Sequence, residues 1–125
     1  MVDQYVPGTC NIGPAEIARR MRIGHLGLAV TVLLAVILLA LGAARPWRLL
    51  LALPATMGAA GYLQARLRFC FDYGFRGAYN FEALGHHERV AAEAARAADR
   101  RRALALALAS VVIGLAVALL ATLVR

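Results

Sequence analysis

Three blocks of near-continuous apolar residues run along the chain, at 23–42, 47–67 and 103–124, and each is bordered by arginine. About 20 apolar residues in a helix cross the hydrocarbon core of a bilayer, so each block predicts a transmembrane helix. The first is almost purely aliphatic, with Thr31 its only hydroxyl. Residues 1–13 are polar and turn-rich. Pro14 then suits the first position of a helix and Glu16 its positive N-terminal end. Ile17, Met21 and the Ile23/Gly24 step recur at helical spacing, with Arg19, Arg20 and Arg22 on other faces. That pattern predicts a short amphipathic helix at headgroup level that leads into the first span.

The second block differs in kind, holding Pro54, Thr56, Gly58, Gly61, Tyr62 and Gln64. Its small residues fall near one face, where a neighbouring backbone can approach closely, and Pro54 is expected to bend the helix. Trp47 with Arg45 and Arg48 forms an interfacial anchor at its start. In the third block Ala103, Ala107, Ser110, Gly114, Ala118 and Ala121 recur every three or four residues, a seam for helix contact. Abundant alanine is the alternative, since Ala105, Ala109 and Ala116 lie off the seam. Gly58, Gly61, Ala107, Ser110, Gly114 and Ala121 are the packing candidates.

Between the second and third blocks the composition changes twice. Residues 68–81 hold six of the nine aromatics, Phe69, Phe71, Tyr73, Phe75, Tyr79 and Phe81. This density reads as an aromatic belt, with a binding platform as the alternative. Asp72, Gly74, Arg76 and Gly77 predict a folded loop there, with Asp72 paired to Arg76 or Arg68. Residues 82–102 turn to alanine and charge, which predicts a helix continuous with the third span. The expected fold is therefore an all-α membrane protein forming one domain over 1–125. It has three spans, the short amphipathic helix and a cytosolic helical extension.

Composition sharpens this picture. A soluble domain carries roughly 45–50% apolar residues, whereas this chain has 62% and a mean hydropathy of +0.67. The net charge is +7, and all 14 basic residues are arginine. Arginines that bracket apolar spans are explained by topology, so nucleic acid is not an expected partner. The absence of lysine excludes a P-loop lysine or a Schiff base. A cleaved signal peptide ending near Leu41-Gly42-Ala43 is disfavoured by the length of the block and the two spans that follow. With three spans, eleven arginines (19, 20, 22, 66, 68, 76, 89, 96, 100, 101 and 102) share one side and three (45, 48 and 125) the other. The positive-inside rule puts the N-terminus and 68–102 in the cytosol of an inner-membrane protein, and the C-terminus outside.

Few residues carry chemistry. Cys10 precedes the first span and Cys70 follows the second, so both face the cytosol, where thiols stay reduced. They are two unrelated interfacial thiols or a pair for sulfur, redox or soft-metal handling, which nearby arginines would favour. His86 and His87, beside Glu82 and Glu88, are the only metal-like cluster. Adjacent histidines on a helix point about 100° apart, so a surface pair at a helix start is the simpler reading. His25 is an interfacial anchor. The sequence shows no catalytic set, and no acidic residue lies within a span. No cofactor can be named.

Cys10-Asn11-Ile12-Gly13, followed by Ile17-Ala18-Arg19-Arg20 and a leucine-rich span, with Phe69-Cys70 after the second span, resembles the membrane domain of YgaP-type inner-membrane rhodaneses. The resemblance covers residues 9–75. It implies a helical hairpin, dimerisation and a link to sulfur transfer. Phe71 stands where that family places proline, these 125 residues hold no rhodanese domain, and the third helix is additional.

The expected function is that of a small non-enzymatic membrane protein acting by helix packing, as a homo-oligomer or an accessory subunit of a larger complex. Thiol or sulfur handling through Cys10 and Cys70 is the alternative. A lipid- or quinone-binding or pore module using Thr56, Tyr62, Gln64 and the aromatic loop comes third.

Overall fold

The computed structural model describes residues 4–124; residues 1–3 and Arg125, the latter counted in the charge asymmetry, lie outside the described residues. The chain is mostly helical. Helix α1 (Pro14–Ala40) starts with Pro14 in its first turn and Glu16 beside its positive end, as the sequence predicts. The amphipathic segment and the first span are one 27-residue helix rather than two elements. Nothing between Arg22 and Leu26 breaks the backbone, because Gly24 is needed for packing rather than for a turn. The helix ends in a Schellman turn: Gly42 takes a φ of +64° and the Ala43 amide donates to the Leu38 carbonyl at 2.9 Å.

The second block runs as α2 (Arg45–Arg48), a 3₁₀ turn (Leu49–Leu51) and α3 (Ala52–Leu67). Pro54 explains the irregular step. It has no amide to offer the Leu50 carbonyl, and its ring crowds that oxygen, so the turn before it tightens to i→i+3 bonding. Arg48, buried at the foot of this element, donates through Nη1 to the Ala121 carbonyl at 3.0 Å and to that of Val124. It thereby ties the start of the second block to the C-terminal end of α5.

Helix α4 (Phe71–Arg76) occupies what the sequence predicts as irregular loop. It is held by an Asp72–Arg76 ion pair at 2.7 Å and closed by Gly77 at φ +69°. Two short strands follow, β1 (Ala78–Tyr79) antiparallel to β2 (Glu88–Arg89), with Ala78 opposite Arg89 and Tyr79 opposite Glu88. The helix expected from residue 82 begins only at Glu93, because Gly85 turns the chain at φ +84° and the hairpin uses the backbone of 88–89. From there α5 (Glu93–Thr122) runs unbroken for 30 residues into the third block.

Glycines set the helix contacts. A Cβ on Gly61 would lie 2.7 Å from the Arg20 carbonyl oxygen and 2.8 Å from Gly24 Cα. One on Gly27 would lie 2.5 Å from Gly58 Cα. Gly24 thus faces Gly61 and Gly27 faces Gly58, so α1 and α3 run antiparallel with their backbones touching. On α5 the buried face is Ala103, Leu106, Ser110, Gly114 and Ala118, and Gly114 sits against Ala52 and Thr56 of α3. Ala107 and Ala121 of the expected seam are only half-buried. The larger Leu106 takes the inner position because it fills the space beside Phe69.

The helices α1 and α5 are each long and apolar enough to cross a membrane. Only 22% and 28% of their most apolar stretches are buried within the chain, so leucine, valine and isoleucine cover their outer faces. The core helix of a soluble protein would be mostly buried.

Candidate functional site

The polar core gathers at the arginine-rich end of the bundle. Residues 10–13, expected to be a polar turn, are instead packed inside it: Cys10, Asn11, Ile12 and Gly13 are all buried. Arg68 makes this possible by taking a left-handed conformation (φ +54°), which costs a non-glycine residue about 1–2 kcal/mol. The reversal sends Phe69 into the core and presents the backbone of Cys70 to Asn11. The Cys70 amide donates to Asn11 Oδ1 at 2.7 Å, and Asn11 Nδ2 donates to the Cys70 carbonyl at 3.1 Å. The Asn11 backbone amide reaches the Arg68 carbonyl, and its carbonyl accepts from the Asn80 amide at 2.9 Å. Gly13 completes the seam, since a Cβ there would stand 2.9 Å from Phe81 Cα.

Around this clamp lies a chain of buried side chains. Arg20 Nη2 donates to the Cys70 sulfur at 2.9 Å, while its Nη1 donates to Glu16 Oε1 at 3.1 Å. Glu16, fully buried, also accepts from the Tyr73 hydroxyl and from Asn80 Nδ2, the latter at 3.3 Å. Glu16 and Arg20 stand one helical turn apart on the inner face of α1, so the helix itself sets their pairing. The network joins α1, α4, the N-terminal segment and the turn after β1 through one carboxylate, one guanidinium and one thiol.

Burial alone would raise the Glu16 pKa. The bonds from Tyr73 and Asn80 and the charges of Arg20 and Arg19 outweigh it and hold the carboxyl below its ordinary value. Burial, reinforced by the Glu16 carboxylate, pushes the Tyr73 hydroxyl up, so it remains a donor. Because the folded value lies below that of the unfolded chain, ionised Glu16 contributes stability that is complete above the unfolded value of about 4.3. That contribution is lost as the pH falls through the folded value. The unfolding midpoint in detergent should therefore stay flat down to about pH 5 and drop at lower pH, and Glu16→Gln should remove much of the drop. A midpoint equally acid-sensitive in the variant would assign the drop to other carboxylates.

A groove of about 430 Å³ between α1, α3 and the start of α4 reaches this site, with Arg20, Gln64 and Cys70 at one end and Ile23, Leu53 and Met57 along its wall. Gln64 is committed within the fold, donating to the Ala60 carbonyl and accepting the Phe71 amide at 3.1 Å. Cys70 itself is 1% exposed, so reagents meet it only from the groove.

The other expected residues fall elsewhere. Cys10 is buried immediately before the clamp residue Asn11, its thiol 3.8 Å from the Ile12 carbonyl. Phe69 and Tyr73 are core residues, Phe71, Tyr79 and Phe81 are half-buried, and only Phe75 is exposed, so the aromatic cluster is mainly packing. His86 and His87 lie in the turn before β2, not at a helix start. His86 pairs with Glu82 at 2.8 Å and His87 stacks near Tyr73. Among the described residues no three His, Cys, Asp or Glu side chains are placed to hold a metal ion. His25 and the Tyr62 hydroxyl bond each other at 2.7 Å. The sequence reading missed Glu16, Tyr73 and Asn80 as a polar centre. Its one local signal was the Glu16–Arg20 spacing of one helical turn.

No protein-family model, curated protein or solved structure matches this sequence.

Proposed function

We propose that this is a polytopic inner-membrane protein with a sulfur-handling thiol, Cys70, at its cytosolic face. The observation that carries the reading is the Arg20 guanidinium donating to the Cys70 sulfur inside an otherwise satisfied buried network. A guanidinium fixed there stabilises negative charge on sulfur during displacement. The groove gives a small donor its approach. In the reaction, Cys70 attacks the outer sulfur of a persulfide R–S–SH. The donor's S–S bond breaks, a new one forms to Cys70, and the proton lost from Cys70 ends on the departing thiol. The products are Cys70–S–SH and R–SH, with no net oxidation.

The resemblance to the membrane domain of inner-membrane rhodaneses supports the same chemistry, because Asn11 and Cys70 of its two motifs are the residues that clamp together. A third crossing, through the second block, is supported by its length. The 23 residues from Arg45 to Leu67 form a nearly continuous helical run of about 34 Å at 1.5 Å per residue. It packs antiparallel to α1. Arginine asymmetry then assigns the N-terminus and residues 68–102 to the cytosol and the C-terminus to the outside.

Packing against another copy or a larger complex has less support than this thiol chemistry. The small residues that motivated it, Gly58, Gly61, Ser110 and Gly114, face the chain's own helices.

The test is sulfur uptake from glutathione persulfide by the protein in liposomes. Cys70→Ser should abolish uptake and Cys10→Ser should leave most of it. Uptake unchanged in Cys70→Ser ends the proposal.

A further inference from the structure

We propose that an arginine collar at the cytosolic ends of the three helices binds the phosphodiester headgroups of anionic phospholipids. The inference rests on the membrane reading above but not on the chemistry of Cys70.

The helix register places the collar. Gly24 faces Gly61 and Gly27 faces Gly58, so continuing the antiparallel register brings Arg66 to the level of Arg19, with Arg22 one turn deeper. On the other side of α3, Gly114 faces Thr56, and Phe69 packs with Ala103 and Leu106. That register sets Arg101 and Arg102 level with Arg68. Arg22, Arg66, Arg68, Arg101 and Arg102 therefore occupy one narrow band where three helices leave the apolar zone.

None of these five arginines forms an ion pair among the described residues, and the described carboxylates make their hydrogen bonds elsewhere. Glu16 serves Arg19 and Arg20, Asp72 serves Arg76, and Glu93 serves Arg96 and Arg100. Glu82 pairs with His86, and Glu88 accepts the Tyr79 hydroxyl. Asp99 is buried, accepting the Tyr5 hydroxyl at 2.6 Å and the Gly8 amide at 2.7 Å. The Nε of Arg102 is itself buried without a hydrogen-bond partner. Five cations at headgroup depth with no ion-pair partner among the described residues favour an external anion, and guanidinium matches phosphate in a two-pronged geometry. The bilayer supplies that anion at this depth.

Native mass spectrometry of the full chain, extracted from liposomes of mixed phosphatidylglycerol and phosphatidylcholine, tests this directly. The wild type should retain phosphatidylglycerol with at least a roughly tenfold preference, given the contribution of each surface arginine. The R66Q/R68Q/R101Q/R102Q variant should lose the preference, and the corresponding Arg→Lys variant should keep most of it. Equal retention of the two lipids by the wild type, or an undiminished preference in the glutamine variant, overturns the collar. Displacement of the lipid by inorganic phosphate at matched concentration would make it a free-anion site and also overturns it. Failure of the wild type to float with the liposomes would instead refute the membrane reading.

Discussion

Leucine in place of Gly61 unseats α1 from α3. The atoms that its Cβ would meet are the Arg20 carbonyl oxygen at 2.7 Å and Gly24 Cα at 2.8 Å, and no rotamer change moves a backbone. Overpacking a close-packed contact costs typically about 1–3 kcal/mol. The loss here belongs at the upper end or above, because the helices must separate before the side chain fits. In the bilayer proposed above, lipid would offer no hydrophobic force to press them together again, since close van der Waals packing is what would join them. The displacement also drags Arg20 and the polar site with it. Unfolding in a mixed-micelle titration should shift by about 3 kcal/mol or more, and Cys70 should become open to a membrane-permeant maleimide. A wild-type midpoint with Cys70 still protected would show that α1 and α3 do not touch here.

The second large effect lies in the Glu16–Arg20 pair. Each side chain is buried, and each is the other's counter-charge. Removing one partner of such a pair strands a charge and costs about 3–5 kcal/mol. Glu16→Gln leaves the buried Arg20 without its counter-charge. Arg20→Met leaves Glu16 with the neutral donors Tyr73 and Asn80 and with Arg19 at 3.9 Å. The double variant removes both charges and should be less destabilised than the sum of the singles, by one or more kcal/mol of coupling. Additive losses in the cycle would mean that the two groups do not interact. The Tyr73→Phe variant separates hydrogen bonding from charge, because it takes one donor from Glu16 and leaves the ion pair intact.

The helices were legible because their causes are local. Apolar length, Pro14 with Glu16 at a helix start, and the unbroken run from Glu93 into the third block each lie within a few turns. A small-residue seam was also visible, but periodicity shows a face and not what covers it. Here Gly58, Gly61, Ser110 and Gly114 are covered by the chain itself. The hairpin at 78–89 was hidden because the sequence there is rich in charge and histidine, and the one breaker, Gly85, was outweighed by the alanine-rich stretch that follows. The polar centre was hidden for another reason. Glu16 meets Tyr73 and Asn80 across 57 and 64 residues of sequence. No spacing rule links them, and Glu16 has a sufficient local explanation at the helix dipole. Asn11 likewise reads as a turn residue until the left-handed Arg68 turns Cys70 toward it.

In the sulfur transfer proposed above, the sulfur of Cys70, and not another thiol, is the reacting atom. The most direct measurement is site-resolved mass spectrometry of the wild-type protein in liposomes after exposure to glutathione persulfide, with thiols blocked at the end of the reaction. One added sulfur on Cys70, with Cys10 unmodified, is the predicted result. Added sulfur on Cys10, spread equally over both cysteines or on neither would contradict it.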